Sequence, residues 1–312
     1  MIDLTAPQLS QFRAILLGSM DQYRPDQPER IWTLHNGPDS LQCLIPCSGL
    51  LYRLLSSPLE SLGFQLAGWP ATQEATLPVV VGARPDAFGN DSLDLLPPDI
   101  CPVPDVHGDT VALIRQIMTP PLRGMVEAVF QDREVVSRYW TMPASARHHH
   151  AFPGGLAAHS LEVAQDMAGQ AALESHERDL CIGAGLLHDI GKVWSYTPDM
   201  FLNTAARAMG HELLGLSRLE RELKILEGEW PDGAYTMRVL LSGCGRMRQD
   251  GSMPSALVAR LKAADQRSCE QERSRKEPSQ VWTPKSWLPA SPPVEPSSNA
   301  ATDVSSDGDW TF

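Results

Sequence analysis

The sequence predicts a mainly α chain: a helical core, preceded by a small β-containing N-terminal region and followed by a disordered tail. Three observations carry this. From Asp109 to about residue 272, apolar residues recur three or four apart. Before that, short β-prone runs are separated by Pro and Gly. Beyond Lys276 the aliphatics thin out, and residues 277–312 hold six prolines among many Ser, Asp and Thr. Such a tail cannot bury enough apolar surface to offset its ordering entropy. The chain divides accordingly into 1–105, 109–272 and 277–312.

Taken in order, Leu4 to Leu17 has apolar residues at helical spacing and predicts a leading helix. Ile31-Trp32-Thr33-Leu34 and Leu77-Pro78-Val79-Val80-Val81 predict strands within a β-containing unit over about 28–100. Pro78 cannot donate to a ladder, so the second strand is an edge or begins at Val79. Val111, Leu113, Ile114 and Ile117 predict a helix broken by Pro120-Pro121, and another covers Leu122 to Phe130. Further helices are expected over Gly155–Gly169, Asp179–Val193 and Glu212–Glu229, and a last one opens at Pro254.

No stretch approaches the run of roughly 18 to 20 apolar residues that a membrane span needs. The start of the chain does not read as a secretory signal. Six scattered cysteines without paired spacing fit a reducing, cytoplasmic setting, with Cys181 expected as a buried thiol. The net charge of −12, without a long Lys/Arg run, argues against strong non-specific binding to nucleic acid. That acidity sits largely in the N-terminal part: residues 1–108 carry 5 basic against 12 acidic groups, and 141–273 carry 14 against 17. The core therefore retains the means for a local positive surface.

The chemistry concentrates in Gly185-Leu186-Leu187-His188-Asp189-Ile190-Gly191-Lys192. An imidazole beside a carboxylate, joined by His159 on one apolar stripe and Asp265 behind Leu261 and Ala264, suits a divalent ion such as Mn, Fe, Zn or Mg. An unpaired buried carboxylate at position 265 would be costly, and a metal would resolve it. Each residue alone has an ordinary reading, His159 as a core histidine and Asp265 as a surface acid. Three separate helices supplying polar groups to apolar faces is harder to dismiss. Lys192 is placed either to bind a phosphate as a point charge or to sit in solvent. Of His148, His149 and His150, one is expected to meet substrate or metal, and His150 is the candidate proton donor.

The order His159, His188-Asp189, Asp265 resembles the signature of the HD phosphohydrolase superfamily, an all-helical fold binding one or two divalent metals. The stretch from Pro143 through His148-His149-His150-Ala151-Phe152-Pro153-Gly154-Gly155 to His159-Ser160-Leu161-Glu162 more closely resembles the HD-type domain of conjugative relaxases. A more distant likeness is to bacterial 3′-to-5′ exoribonucleases pairing an OB-fold with an HD domain, which implies an OB-like region over 1–105. The resemblance covers about residues 109–272. In the exoribonuclease-like branch, later histidines hold a second metal. His211 fills the first such position, but Leu241-Ser242-Gly243-Cys244-Gly245 stands where a histidine pair would be, so a single metal is expected.

These readings imply a metal-dependent phosphohydrolase or nuclease-type domain, relaxase-like, with His159, His188, Asp189, His211 and Asp265 as ligands and Asp189, Lys192 and His150 in catalysis. The alternatives are a 3′-to-5′ exonuclease or nucleotide phosphohydrolase, and a scaffold working through protein contacts. Trp282, Trp287 and Trp310 in the tail are either incidental or docking anchors for a protein partner. The isolated Tyr139, Tyr196 and Tyr235 form no recognisable nucleophile motif.

Overall fold

The computed structural model describes residues 8–68, 77–85, 92–145, 149–169, 173–197, 199–243 and 253–276. The expected disordered tail and its tryptophans lie outside these, as do His148 and Cys244.

Among the described residues, five strands close into a barrel: β1 (Gln8–Leu16), β2 (Ile31–Asn36), β3 (Asp39–Leu44), β4 (Leu62–Gly68) and β5 (Val79–Pro85). They lie in the order β1-β2-β3-β5-β4, and β4 pairs back with β1. Only the β3–β5 pair is parallel. Helix α1 (Ser48–Ser56) bridges β3 and β4. The barrel interior holds Ala14, Leu16, Trp32, Leu34, Cys43, Phe64, Leu66 and Val80, with Leu51, Leu54 and Leu55 of α1 covering one end. β5 begins at Val79, after the proline, as expected. The leading helix is overturned, since residues 8–16 form β1.

Among the described residues, ten further α-helices follow: α2 (Val106–Arg115), α3 (Pro120–Gln131), α4 (Arg133–Arg138), α5 (Gly155–Ala168), α6 (Ser175–Leu187), α7 (Lys192–Ser195), α8 (Thr204–Arg218), α9 (Glu220–Glu229), α10 (Pro231–Leu241) and α11 (Met253–Lys276). Pro120-Pro121 open α3, where a missing N–H costs nothing. The single helix expected over Asp179–Val193 is two, because the chain turns at His188–Gly191 with Ile190 N–H on Leu187 O and Lys192 N–H on Asp189 O. The apolar pattern runs on through Ile190 and Val193, so the sequence hides the turn. The one expected over Glu212–Glu229 is also two, α8 and α9 meeting at Leu219.

α5 and α6 pack together at the centre, with α11 lying across α5 and α10. Beneath them, Phe130, Tyr139 and Trp140 meet mostly edge to face, and His107 stands against Trp140. Asp179, buried, accepts from Met118 N–H and from the Thr119 N–H and hydroxyl, tying the α2–α3 turn to α6.

The barrel and the helices share a seam. Ile15 of β1 and Leu59 belong to the helical core, although Ala14 and Leu16 on either side of Ile15 face the barrel interior. Arg133, at the start of α4, donates to the carbonyls of Leu16, Gly18 and Ser57. One guanidinium thus satisfies three barrel carbonyls at once.

Candidate metal centre

Three helices, with the turn that follows one of them, bring four of the expected donors together. His159 sits mid-way along α5 and is fully buried. His188 caps the C-terminus of α6 and Asp189 follows in the turn. Asp265 comes from α11. His159 Nε2 lies 3.3 Å from His188 Nε2, 3.5 Å from Asp189 Oδ2 and 3.2 Å from Asp265 Oδ1. His188 Nε2 is also 3.5 Å from Asp189 Oδ2.

The hydrogen bonds behind the rings decide which atoms face inward. His188 Nδ1 lies 2.8 Å from Gly185 O, which can only accept, so that nitrogen carries the hydrogen. Ser268 Oγ donates to Glu162 at 2.6 Å, leaving its oxygen to accept from His159 Nδ1 at 3.0 Å. With the hydrogen on Nδ1, a neutral ring turns a bare Nε2 lone pair toward carboxylate oxygen, His159 toward Asp189 Oδ2 and Asp265 Oδ1 and His188 toward Asp189 Oδ2. Acceptors facing acceptors call for positive charge between them. Donors bonded to one ion at about 2.1 Å stand about 3.0 Å apart at right angles and about 3.4 Å apart at tetrahedral angles. The observed separations fit, and His159, His188 and Asp189 form a group that could hold a metal ion.

Asp189 is braced on both oxygens. Lys192 Nζ donates to Oδ2 at 2.6 Å and His211 Nε2 lies 3.0 Å from Oδ1. Burial pushes the Asp189 carboxyl upward, but Lys192, His188, His211 and His159 outweigh it and hold it well below the usual carboxylate range. Burial alone would lower Lys192, and Asp189 reverses this and keeps it a cation. Burial lowers His188, in keeping with a neutral ring.

Backbone geometry sets His211 at this distance. Gly210 has φ 79°, a kink inside α8 that few other residues adopt, and it turns the next residue toward the turn. There Gly191 packs so closely that a Cβ would stand 1.8 Å from His211 O.

Three expectations need correction. Asp265 is not a buried carboxylate: its side chain is 45% exposed, so the evidence for its role is convergence on His159 and not burial. Lys192 is no solvated lysine but is buried and committed to Asp189. His150 is buried at 1% exposure with Nε2 3.2 Å from Glu162, behind His159, and does not line the cavity in front of the site. His149 lines it instead, with its ring 5.2 Å from that of His159, and burial, His159 and Lys192 push it down to about 4.

The supporting residues Ser268 and Glu162 went unread in the sequence, as did Cys269. Their signal was spacing, since Glu162 follows His159 by three, and Ser268 and Cys269 follow Asp265 by three and four, on the same helix faces. Cys269 Sγ lies 3.6 Å from Asp265 Oδ1, and burial followed by Asp265 pushes its thiol up to about 12. His149, His159 and Cys269 form a second group whose ligand atoms lie within 4.8 Å of one another.

In front of the donors opens a cavity of about 310 Å³. Its lining combines the polar His149, Lys192, His211 and Glu212 with the aliphatic Leu240, Leu241, Val258 and Leu261. Leu241 and Gly243 belong to that lining, at the end of α10 and just after it.

Residues 156–268 match the HD domain family, a span that contains all four converging donors. That match supports the HD phosphohydrolase superfamily for this part of the chain, and HD domains bind divalent metals. No curated protein and no solved structure gives a match. Among the described residues, no helix is long and apolar enough to cross a membrane.

Proposed function

We propose that this chain is a metal-dependent phosphohydrolase that cleaves nucleic-acid phosphodiesters and serves conjugative DNA processing. The observation that carries it is the meeting of His159, His188, Asp189 and Asp265 beside a cavity that the last three line. His159, His188, Asp189 and Asp265 would hold a divalent ion, which would supply Lewis acidity and make an attacking water more acidic.

The chain's own groups do the rest. Lys192 keeps Asp189 ionised, and His211 fixes its second oxygen. The aliphatic wall excludes bulk water from one side of the reacting phosphate. Hydrolysis forms a phosphorus–oxygen bond to water and breaks the one to the departing sugar oxygen, which takes up a proton. His211, expected as a metal ligand but turned by its Nε2 to Asp189, is 30% exposed at the cavity wall and hands the proton over from Nδ1, the nitrogen that faces Glu212.

A polymeric substrate is favoured by the barrel. Its order β1-β2-β3-β5-β4, with α1 between β3 and β4, is that of OB-type barrels, which bind oligonucleotides across strands 2 and 3 and adjoining loops. Arg24 and Arg30 lie in the loop before β2, and Tyr52 presents an exposed ring beside Tyr23. The conjugative setting rests on the motif from Pro143 to Glu162.

Protein stripped of metal and reloaded with manganese should degrade labelled single strands, and His188→Ala should lower the rate by on the order of a hundredfold or more. Nicking of a supercoiled, origin-bearing plasmid at one place would support the conjugative role. Manganese-loaded protein that cleaves neither single strands nor a model phosphodiester overturns the reading.

A further inference from the structure

We propose that Cys269 and His149 are further ligands of the ion held by His159 and Asp265, making this a thiolate-bearing centre that takes a borderline or soft divalent ion such as zinc or iron(II) in preference to magnesium. The inference rests on the metal site proposed above and deepens it by naming the cation class.

Two independent features point the same way. The first is the geometry of α11. Asp265 and Cys269 stand one helical turn apart on one face, with Sγ 3.6 Å from Oδ1, and that same oxygen lies 3.2 Å from His159 Nε2. Oxygen and thiolate sulfur bonded to one ion at about 2.1 Å and about 2.3 Å stand about 3.1 Å apart at right angles and about 3.6 Å apart at tetrahedral angles, so the observed separation lies at the wide end of that range. The second is His159 itself, fully buried, with Nδ1 committed to Ser268 and its Nε2 lone pair surrounded by other acceptors. His149 closes the group from the loop before α5, its ligand atom within 4.8 Å of those of His159 and Cys269.

A donor set mixing imidazole, carboxylate and thiolate suits zinc, cobalt or iron(II), whereas magnesium demands near-octahedral oxygen ligation. The centre then has a hard face, Asp189 braced by Lys192, and a soft face, Cys269 with His149. Cys47, exposed on the barrel, is remote from it in the fold and serves as a control.

The test is cobalt(II) substitution of the full-length chain, with bound metal counted by elemental analysis. The parent protein and Cys47→Ser should show a thiolate-to-cobalt charge-transfer band in the near ultraviolet. Cys269→Ser should bind cobalt without that band, and its zinc affinity should fall about tenfold or more. His149→Ala should keep the band but weaken zinc binding. Far-ultraviolet circular dichroism checks that each variant folds. Cobalt bound without the band in the parent, or a band that survives in Cys269→Ser, overturns the thiolate ligand and leaves the metal site standing. A parent chain that takes up no cation overturns both.

Discussion

The barrel and the helical core solve burial in opposite ways. The barrel interior is lined by apolar side chains, from Ala14 and Leu34 to Phe64 and Val80. The helical core is larger yet admits His107, His150, His159, Asp179, Asp189 and Lys192, and among the described residues the buried acids, lysine and imidazoles all lie outside the barrel. A closed barrel of short strands has little room to satisfy an inward polar group, since its backbone donors are spent on the ladder. Crossing helices can each surrender one position of an apolar stripe and let neighbouring helices supply the partner. Chemistry therefore sits among the helices, and the barrel has its outer surface to offer.

That contrast can be broken or sharpened. The largest effect is expected from Phe64→Ala in the fully buried barrel core, at about 3–5 kcal/mol. Peptide-resolved hydrogen exchange should show barrel strands losing protection while α5 and α6 keep theirs. Equal loss in both would mean that the two regions unfold as one unit. Next is Gly191→Ala, whose Cβ would collide with the His211 carbonyl. A cost of about 3 kcal/mol is expected, with weakened metal binding measured by calorimetry as His211 is driven from Asp189. Arg133→Met removes the donor that three barrel carbonyls share, for about 2 kcal/mol in chemical denaturation.

The smallest effect is one of pH. His107 donates to Leu93 O, and burial depresses its pKa below 6.5. The unfolded chain then binds the proton more readily, so the stability tied to this ring is full above about pH 6.5 and is lost as pH falls through the folded-state value. His107→Gln should therefore lose less stability than the parent between about pH 7 and about pH 5 in urea titrations. An unchanged slope would show that this ring is not protonated differently on unfolding.

How much of this was legible follows from the same contrast. Helical periodicity is local, and it located α5, α11 and the His188-Asp189 pair, because each donor interrupts an otherwise apolar stripe. Strand pairing is not local, and β3, β4 and α1 left no signal that was read. In β1, Phe12, Ala14 and Leu16 face the barrel while Ile15 faces the helices, so the strand is apolar on two sides and its spacing imitates a helix. The turn at Gly191 was hidden for a related reason: its apolar neighbours continue the helical rhythm across a break that only a tertiary contact enforces.

α11 carries Asp265, Ser268 and Cys269 on neighbouring positions, and Ser268 sets the tautomer of His159 on α5. A growing polypeptide that has emerged only as far as residue 243 holds His159, His188 and Asp189 but neither the second acid nor the hydroxyl that orients the first ring. Cation uptake and the docking of this C-terminal segment are then thermodynamically linked, each drawing the other forward. A saturating ion would protect α11 from proteases, and a chain lacking it would be left with an incomplete nest of donors.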